Sequence, residues 1–310
     1  MAAFAYWFAC ILLYLYMLFS SIEFGASLFV LFPKRFGVTN RLMRTYMNPL
    51  WEATSVFLVF FFITFFTCFP KALPELSAAL LPIVEIALVF FGLRILGILG
   101  ALYGESDHLL WRVLLAVGSF GAPVTLSGVY VYLLTGSSPT ESSAPLWISI
   151  ALIVINTILA LSSTFFLSYR RNPTGRTSLI QCAEYSAAMI GASAAAYLLI
   201  LAFDAPHMIT ADALVATCGA FASSVFFFLY LRLGHYLHAF GSIAVMIAFI
   251  FFGSAAAHLP YLSYPSFTID AAATNPTIFA AIFIAWCIGI AILSPALFLL
   301  YRLFLFPSRK

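Results

Sequence analysis

The sequence predicts an all-α integral membrane protein with nine transmembrane helices. Hydrophobic residues make up 64% of the 310 residues and charged residues 8%, whereas soluble domains carry about 25% charged residues. The apolar residues form runs of the length that crosses a bilayer, about 20 residues. Basic residues concentrate in alternate connections between these runs. The runs lack the two-residue alternation of membrane strands, so the predicted spans are helices.

Nine apolar runs meet the length requirement, and turn-forming residues separate them. The first run is 29 residues long and no Lys or Arg precedes it, so it is predicted to be a mature span and not a signal peptide. The spans cover residues 4–32, 51–69, 77–103, 110–135, 146–168, 179–203, 211–233, 239–260 and 277–305.

The longest polar connection divides the first eight spans into two sets of four. We therefore predict two four-helix bundles plus one peripheral helix. The first bundle takes residues 1–138 and the second takes residues 139–262. Residues 263–310 form an outer loop, the ninth helix and the C-terminus.

The basic residues predict the orientation of the spans, because cytoplasmic connections are enriched in Lys and Arg. One set of connections, together with the C-terminus, holds twelve basic residues, and the opposite set holds Lys71 alone. The N-terminus is therefore predicted outside and the C-terminus in the cytoplasm. The net charge of +3 follows from this asymmetry and does not indicate a nucleic acid partner. The twelve are Lys34, Arg35, Arg41, Arg44, Arg112, Arg170, Arg171, Arg176, Arg232, Arg302, Arg309 and Lys310.

Ionisable residues inside the spans are the candidate functional residues, because charges in a membrane are costly and often mark ion or proton paths. Glu23 lies in the inner half of span 1, and Glu52 lies at the cytoplasmic entry of span 2, next to Trp51. Glu184 is one turn into span 6, at a similar depth, where a hydrated interfacial side chain is the favoured alternative. We predict that Glu52 and Glu23 belong to a proton pathway, with Trp51, Arg94 and Glu184 in supporting positions.

Glu85 and Arg94 share span 3 but are predicted not to be partners. Nine residues of helix give about 900° of rotation and about 13 Å of rise, so the two side chains point to opposite faces. Each must find another partner. For Arg94 the alternatives are helix carbonyls or an acid of another helix.

Histidines and cysteines do not predict a cofactor or metal site. Haem in a membrane bundle is usually held by His, Met or Cys side chains aimed into the core, but only His258 is well inside a span. His235 and His238 have a spacing that suits a metal, yet no acid or Cys lies nearby. The five cysteines form no C-x-x-C pair and are predicted to be small buried hydrophobes. We predict no catalytic, cofactor-binding or metal-ligating residue in this chain. Six glycines are predicted to be points of close helix packing, namely Gly25, Gly92, Gly97, Gly100, Gly118 and Gly121.

Several short motifs, in order along the chain, resemble those of subunit II of cytochrome bd-type quinol oxidases. Asn48–Phe57 resembles that family's P-x-W-D-x-N-x-V-W signature, with Glu52 in place of the aspartate. The other similar stretches are Ile22–Gly25 (F-D-x-G), Arg94 (F-R-P), Trp111–Pro123 (W-R…G-S-F-x-P) and Pro265–Ala272 (T-x-x-D-A-A).

The resemblance implies a nine-helix non-haem subunit in a prokaryotic cell membrane. In that family haem b and haem d lie on subunit I, and subunit II packs against it. Subunit II contributes a cytoplasmic proton route for the reduction of oxygen to water, and it can hold a bound quinone. A small single-span subunit is a further expected partner, beside membrane lipid.

Two other functions fit the same buried acids. One is a proton-coupled secondary transporter, in which the acids bind a substrate or an ion; Pro82, Glu85, Gly92 and Arg94 make span 3 the nearest feature to a broken helix. The odd number of spans and the lack of a clear repeat argue against it. The other is a scaffold subunit whose acids are structural.

Overall fold

The computed structural model describes residues 1–38, 40–103, 108–136, 143–169 and 175–305. Within the helices, the side chains of residues 40–53, 102–103, 169, 276, 293 and 296–305 lie outside this description. The helices, in chain order, are α1 (Ala2–Leu31), α2 (Pro33–Phe36), α3 (Asn40–Cys68), α4 (Leu73–Ile98), α5 (Leu109–Thr135), α6 (Ala144–Tyr169), α7 (Arg176–Asp204), α8 (Ala211–Arg232), α9 (Tyr236–His258), α10 (Ile269–Ala272) and α11 (Pro276–Leu305).

Seven helices of the described chain are long and apolar enough to cross a membrane: α1, α4, α5, α6, α7, α8 and α9. This confirms the predicted class of multi-pass, all-helical membrane protein. The described apolar parts of α3 and α11, Thr54–Cys68 and Thr277–Ile292, are shorter than a span. The count of nine spans therefore stays a prediction.

Helix α3 begins at Asn40, eleven residues before the start of the predicted second span at residue 51. The predicted span excludes the polar residues before Trp51, whereas the helix includes them. A hydrophobicity criterion finds the apolar part of a helix, and the backbone hydrogen bonds can continue into water beyond it. Pro49 lies inside this helix and does not end it.

Helix α6 forms the centre of the molecule. In its most apolar stretch 72% of the residues are buried, against 28% or less in the other six spans. Helix α1 lies across it at Gly25, where an added Cβ would approach Ser162 Cβ to 2.5 Å and Ile158 O to 2.8 Å. The Ser162 hydroxyl lies 2.7 Å from the carbonyl oxygen of Ile22 and donates a hydrogen bond to α1. The missing side chain at Gly25 therefore lets the two central helices meet.

The remaining helices pack around this pair. Helix α3 lies against α1 and is covered by α11, and α7 lies against α6. Helices α4 and α5 form one tightly packed hairpin, which touches α1 through α5, and α8 and α9 form a second, which touches α6 through α9. Helices α4 and α8 therefore lie at the periphery. The division into two four-helix bundles at residues 138 and 139 stays a prediction.

Five of the six glycines predicted at close packing points lie there. An added Cβ would meet a neighbouring helix within 3 Å at Gly25, Gly97, Gly100, Gly118 and Gly121. The prediction is wrong for Gly92, where an added Cβ would meet nothing within 4 Å. Gly92 lies about 160° around α4 from the buried Arg94, so it is on the outward face of the helix.

All five cysteines are free. Cys68 is buried and Cys10 and Cys182 are partly buried, but Cys218 and Cys287 are exposed on α8 and α11. The prediction of burial is wrong for these two. An apolar residue in a membrane helix is compatible with lipid as well as with the core, so hydrophobicity does not decide its burial.

The loop before the last helix contains a small antiparallel hairpin, β1 (Tyr261–Ser263) and β2 (Phe267–Thr268), which the sequence did not predict. Strands of three and two residues are too short to show an alternating pattern. The backbone N–H of Tyr264 donates to Leu133 O of α5 at 2.9 Å, and that of Thr274 donates to Cys68 O of α3 at 2.9 Å. The loop therefore ties the ends of α3 and α5 together.

Candidate functional site

Glu23 of α1 and Arg94 of α4 form an ion pair inside the helix bundle. The guanidinium Nη2 of Arg94 contacts Oε1 of Glu23, and the two side chains are 6% and 2% exposed. The sequence allows two kinds of partner for Arg94, helix carbonyls or an acid of another helix. In the structure the partner is the acid, Glu23. A lone charge in mid-membrane costs about 2.5–3.5 kcal/mol on insertion scales, so each group offsets the cost of the other.

Two further contacts hold the guanidinium. Nε of Arg94 donates a hydrogen bond to the hydroxyl oxygen of Ser119 of α5 at 3.2 Å, and its central carbon lies 4.7 Å from the ring centroid of Phe24. Gly118 makes this possible, because an added Cβ there would lie 2.7 Å from Cα of Arg94 and 2.5 Å from Phe90 O. The Gly118-Ser119 pair thus brings α5 close to α4 and supplies a polar partner.

The second carboxylate oxygen of Glu23 faces helix α3. The Thr54 hydroxyl lies 3.5 Å from Glu23 Oε2 and is itself 3% exposed. Glu52 lies two residues earlier on α3, about 3 Å along the helix axis. The side chains of Trp51 and Glu52 lie outside the described residues, so their predicted roles remain predictions. The structure brings the backbone of the Glu52 segment to the level of Glu23.

These groups lie near one end of the bundle. Glu23 is eight residues before the last residue of α1, and Arg94 is four residues before the last residue of α4. These separations correspond to about 12 Å and about 6 Å along the helix axes. Topology predicts that this end faces the cytoplasm.

The other two acids considered in the spans are not part of this cluster. Glu184 is half-buried on α7, which packs against α6. Among the described residues it makes no hydrogen bond or ion pair, and the structure does not bring it to Glu23. Glu85 is exposed on α4. As predicted, it is not the partner of Arg94.

Sequence reasoning did not predict the contacts of Ser119, Thr54 and Phe24 with this pair. It also missed a second polar cluster at the other end of α5, where the hydroxyl of Tyr130 hydrogen-bonds to Ser254 of α9. Tyr197 of α7 lies 3.4 Å from Tyr130, oxygen to oxygen. A Tyr hydroxyl cannot reach the carbonyls of its own helix as a Ser or Thr hydroxyl does, and polar side chains in a membrane bundle hydrogen-bond across helices, so a Tyr within a span is the signal that could have indicated these contacts.

Histidines do not join either cluster as metal ligands. Within the described ranges no three His, Cys, Asp or Glu side chains are grouped to hold a metal ion. His258 is 6% exposed and its ring nitrogens have no hydrogen-bond partner among the described residues. His207, in the connection between α7 and α8, stacks on Tyr264 with 3.9 Å between ring centroids. Partial burial lowers the pKa of His207.

Comparison with known proteins matches this chain to one family. The family model for cytochrome bd terminal oxidase subunit II matches residues 1–304. A Bacillus subtilis (strain 168) protein with the assigned name cytochrome bd menaquinol oxidase subunit II is 22% identical over 331 aligned positions, which cover 96% of this chain and 93% of that protein. A chain in the structure of bd oxidase from Geobacillus thermodenitrificans superposes with a TM-score of 0.87 at 26% identity, with 99% of each chain covered.

Proposed function

Because this chain belongs to the cytochrome bd terminal oxidase subunit II family, we propose that it is the non-haem subunit of a bd-type quinol oxidase and carries a proton route to the site of oxygen reduction. The partner is a haem-bearing subunit I, which holds haem b and haem d and oxidises the quinol. The observation that carries the proton route is the buried Glu23, which lies between Arg94 on one side and Thr54 of the Glu52 helix on the other.

The route begins at Glu52, at the predicted cytoplasmic end of the bundle. Glu52 takes up a proton from water and passes it along α3 toward Glu23. The Thr54 hydroxyl stands beside Oε2 of Glu23, at 3.5 Å. A hydroxyl both donates and accepts hydrogen bonds, so Thr54 suits a group that hands a proton to the carboxylate.

Arg94 supports this transfer without taking part in it. It contacts Oε1 of Glu23 and leaves Oε2, the oxygen beside Thr54, open to the proton. When Glu23 is protonated, Arg94 keeps the Ser119 hydroxyl at 3.2 Å and the face of Phe24 at 4.7 Å. Its charge therefore does not become wholly unpaired, which would be costly in the interior. Trp51 keeps its predicted supporting position in this proposal, whereas Glu184, which lies on α7 away from Glu23, has no part in the route.

The test is the oxygen consumption of the complex with its haem-bearing subunit, reconstituted in vesicles and supplied with a quinol. We expect Glu52→Gln and Glu23→Gln to lower turnover at least tenfold while haem content per complex is unchanged. The matched control is Glu75→Gln, an exposed acid at the opposite end of α4, which should keep normal turnover. Normal turnover of both variants in an intact complex would refute the proton route.

The same experiment separates the rival functions. If the acids are structural, Glu23→Gln lowers the yield or stability of the complex, and the turnover of the surviving complex is normal. A secondary transporter would move a solute without the haem-bearing subunit. The family match over residues 1–304 does not favour the transporter.

A further inference from the structure

The last residue of α9, His258, is a buried histidine without hydrogen-bond partners. It is 6% exposed, and among the described residues neither of its ring nitrogens makes a hydrogen bond. A neutral imidazole carries one donor and one acceptor, and a buried polar group that is left unpaired destabilises the folded state. Packing alone therefore does not explain a histidine at this position.

A second histidine with an unused nitrogen lies near it. His207 belongs to the connection between α7 and α8, and its Nε2 is buried without a partner among the described residues. The two rings are near enough for their charges to repel each other. The carbonyl of Leu262 in β1 faces the His258 ring but does not meet the geometry of a hydrogen bond.

This histidine pair (His207 and His258) has the chemistry of a proton acceptor. No third His, Cys, Asp or Glu is grouped with the two rings in the described chain, so the pair lacks the ligand set of a metal centre. An imidazole takes up a proton between about pH 5 and pH 8, within the range that a cell compartment reaches. Two imidazoles with free nitrogens at one place therefore respond to the acidity of the water that reaches them.

The histidine pair lies where the α7–α8 connection meets the rest of the bundle. The ring of His207 stacks on Tyr264, with 3.9 Å between the ring centroids. The backbone N–H of Tyr264 in turn donates to Leu133 O of α5. Met208, the next residue of the connection, is 1% exposed and belongs to the same core cluster as Ala257 of α9. The pair therefore borders the contact that holds this connection against α5 and α9.

No acid neutralises the histidine pair. Asp204 and Asp212 lie on either side of the connection, both are exposed, and in the described chain neither forms an ion pair. Phenols are the other titratable groups on the elements packed here, and they stay neutral up to a pH of about 10. They are Tyr6 of α1, Tyr130 of α5, Tyr197 of α7, and Tyr261 and Tyr264 of the hairpin loop. The C-terminal end of α9 favours a positive charge, which keeps protonation of His258 within reach of mild acid.

We propose that the histidine pair is a pH-sensitive contact, which holds the α7–α8 connection closed on α9 when both rings are neutral and lets it open to water when they are protonated. Two positive rings at this place repel each other, and each needs water that the closed contact does not supply. Because burial lowers the pKa of His207, the closed state binds fewer protons than the open state. The closed state therefore loses stability as the pH falls below about 6.5.

The size of the effect follows from the number of protons taken up on opening. A ring that is protonated in the open state alone, with a pKa of about 6.5, raises the opening constant about tenfold between pH 7.5 and pH 5.5. Two such rings raise it about 100-fold. We expect a rise of about 10- to 100-fold in the unaltered chain, a smaller rise in His207→Phe or His258→Phe, and less than about twofold in the double variant.

The measurement is hydrogen–deuterium exchange of the intact protein in detergent micelles, read by mass spectrometry and corrected for the intrinsic effect of pH on exchange. The peptide of residues 205–210 is the reporter. Its Met208 N–H donates to Ala205 O at 3.0 Å, and its Ile209 N–H donates to Pro206 O at 3.1 Å. These amides exchange when the connection opens.

The other end of α9 supplies the controls. Residues 233–235 form the connection between α8 and α9, and His235 is exposed there. An exposed ring has water in every state, so this connection should change by less than about twofold with pH. His238→Phe replaces a second exposed histidine and should leave the response of residues 205–210 unaltered.

Three results would overturn the inference. One is a flat pH response of residues 205–210 in the unaltered protein, which needs no variant. Another is a full response in the double variant. The third is an equal response of residues 233–235, which would show general loosening and not a local contact. If the Phe variants do not fold, Gln at both positions keeps a polar side chain that does not titrate and serves as the same test.

Discussion

The Glu23–Arg94 pair makes a quantitative prediction about stability, through the variants Glu23→Gln, Arg94→Gln and the combination of both. Each single change leaves one polar or charged group in the interior without its partner. In Arg94→Gln the Glu23 carboxylate, which is 2% exposed, keeps the contact of its Oε2 with the Thr54 hydroxyl at 3.5 Å. In Glu23→Gln the guanidinium keeps Ser119 and Phe24. The double variant has two neutral amides facing one another.

The expected losses differ in size for this reason. Breaking a buried ion pair from one side destabilises a protein by about 3–5 kcal/mol. We expect Arg94→Gln to fall within this range, because a weak hydroxyl contact is all that remains for the carboxylate. We expect Glu23→Gln to lie near the lower end, because stacking of a desolvated guanidinium on Phe24 contributes about 2 kcal/mol. The double variant should lose less than the sum of the two single losses, by a coupling free energy of about 2–3 kcal/mol.

The assay is unfolding of the purified protein in mixed micelles, in which the fraction of sodium dodecyl sulfate is raised and loss of helix is followed by far-ultraviolet circular dichroism. A coupling of about 2.7 kcal/mol corresponds to about 100-fold in the unfolding equilibrium constant. Glu75→Gln is the control, because an exposed acid should change the unfolding free energy by less than about 0.5 kcal/mol.

The loss in the double variant, compared with the sum of the two single losses, decides the outcome. If the double variant loses the sum of the two single losses, the coupling is below about 0.5 kcal/mol. Glu23 and Arg94 would then not depend on each other, and the buried pair would not be the element that joins α1 to α4.

Two further predictions concern packing and pH. Gly25→Ala should lower the unfolding free energy by about 1–3 kcal/mol through overpacking, because the added Cβ would lie 2.8 Å from Ile158 O. The control is Gly191→Ala on α7, where an added Cβ meets nothing within 4 Å, and it should show no such loss in the same assay. Because burial lowers the pKa of His207, the unfolded state binds more protons than the folded state below the usual His pKa of about 6.5. Stability should therefore fall as the pH drops below that value, and His207→Phe, which keeps an aromatic ring beside Tyr264, should reduce the fall in thermal midpoint measured between pH 7.5 and 5.5.

Other outcomes would contradict these two predictions. Equal losses in Gly25→Ala and Gly191→Ala would show that the contact with α6 at Ser162 does not limit the size of residue 25. An unchanged pH profile in His207→Phe would assign the acid sensitivity of the protein to other groups.

The class of multi-pass, all-helical membrane protein could be predicted because the hydrophobic length of a segment is a property of that segment by itself. The start of α3 could not be predicted from hydrophobicity, because the backbone geometry of a helix does not change where the helix leaves the membrane. The hairpin of Tyr261–Thr268 was missed because its strands are too short for a pattern. The prediction that Gly92 is a packing point was wrong because the presence of a glycine does not tell which face of a helix meets a neighbour.

The candidate site also has features that the sequence alone determined and features that it did not. The sequence alone determined that Glu23, Glu85 and Arg94 lie within membrane spans and need partners, because an ionisable group in hydrocarbon is costly wherever the helix is placed. It also determined that Glu85 and Arg94 point apart, since the helical period fixes their relative direction.

The tertiary structure decided which partner each group finds. It placed Arg94 on Glu23 through the close approach of α5 at Gly118 and left Glu85 on the outward face of α4. The physical reason is that partner choice depends on how three helices are rotated and offset against one another. The packing of small residues at their contacts sets that arrangement, and no single segment contains it.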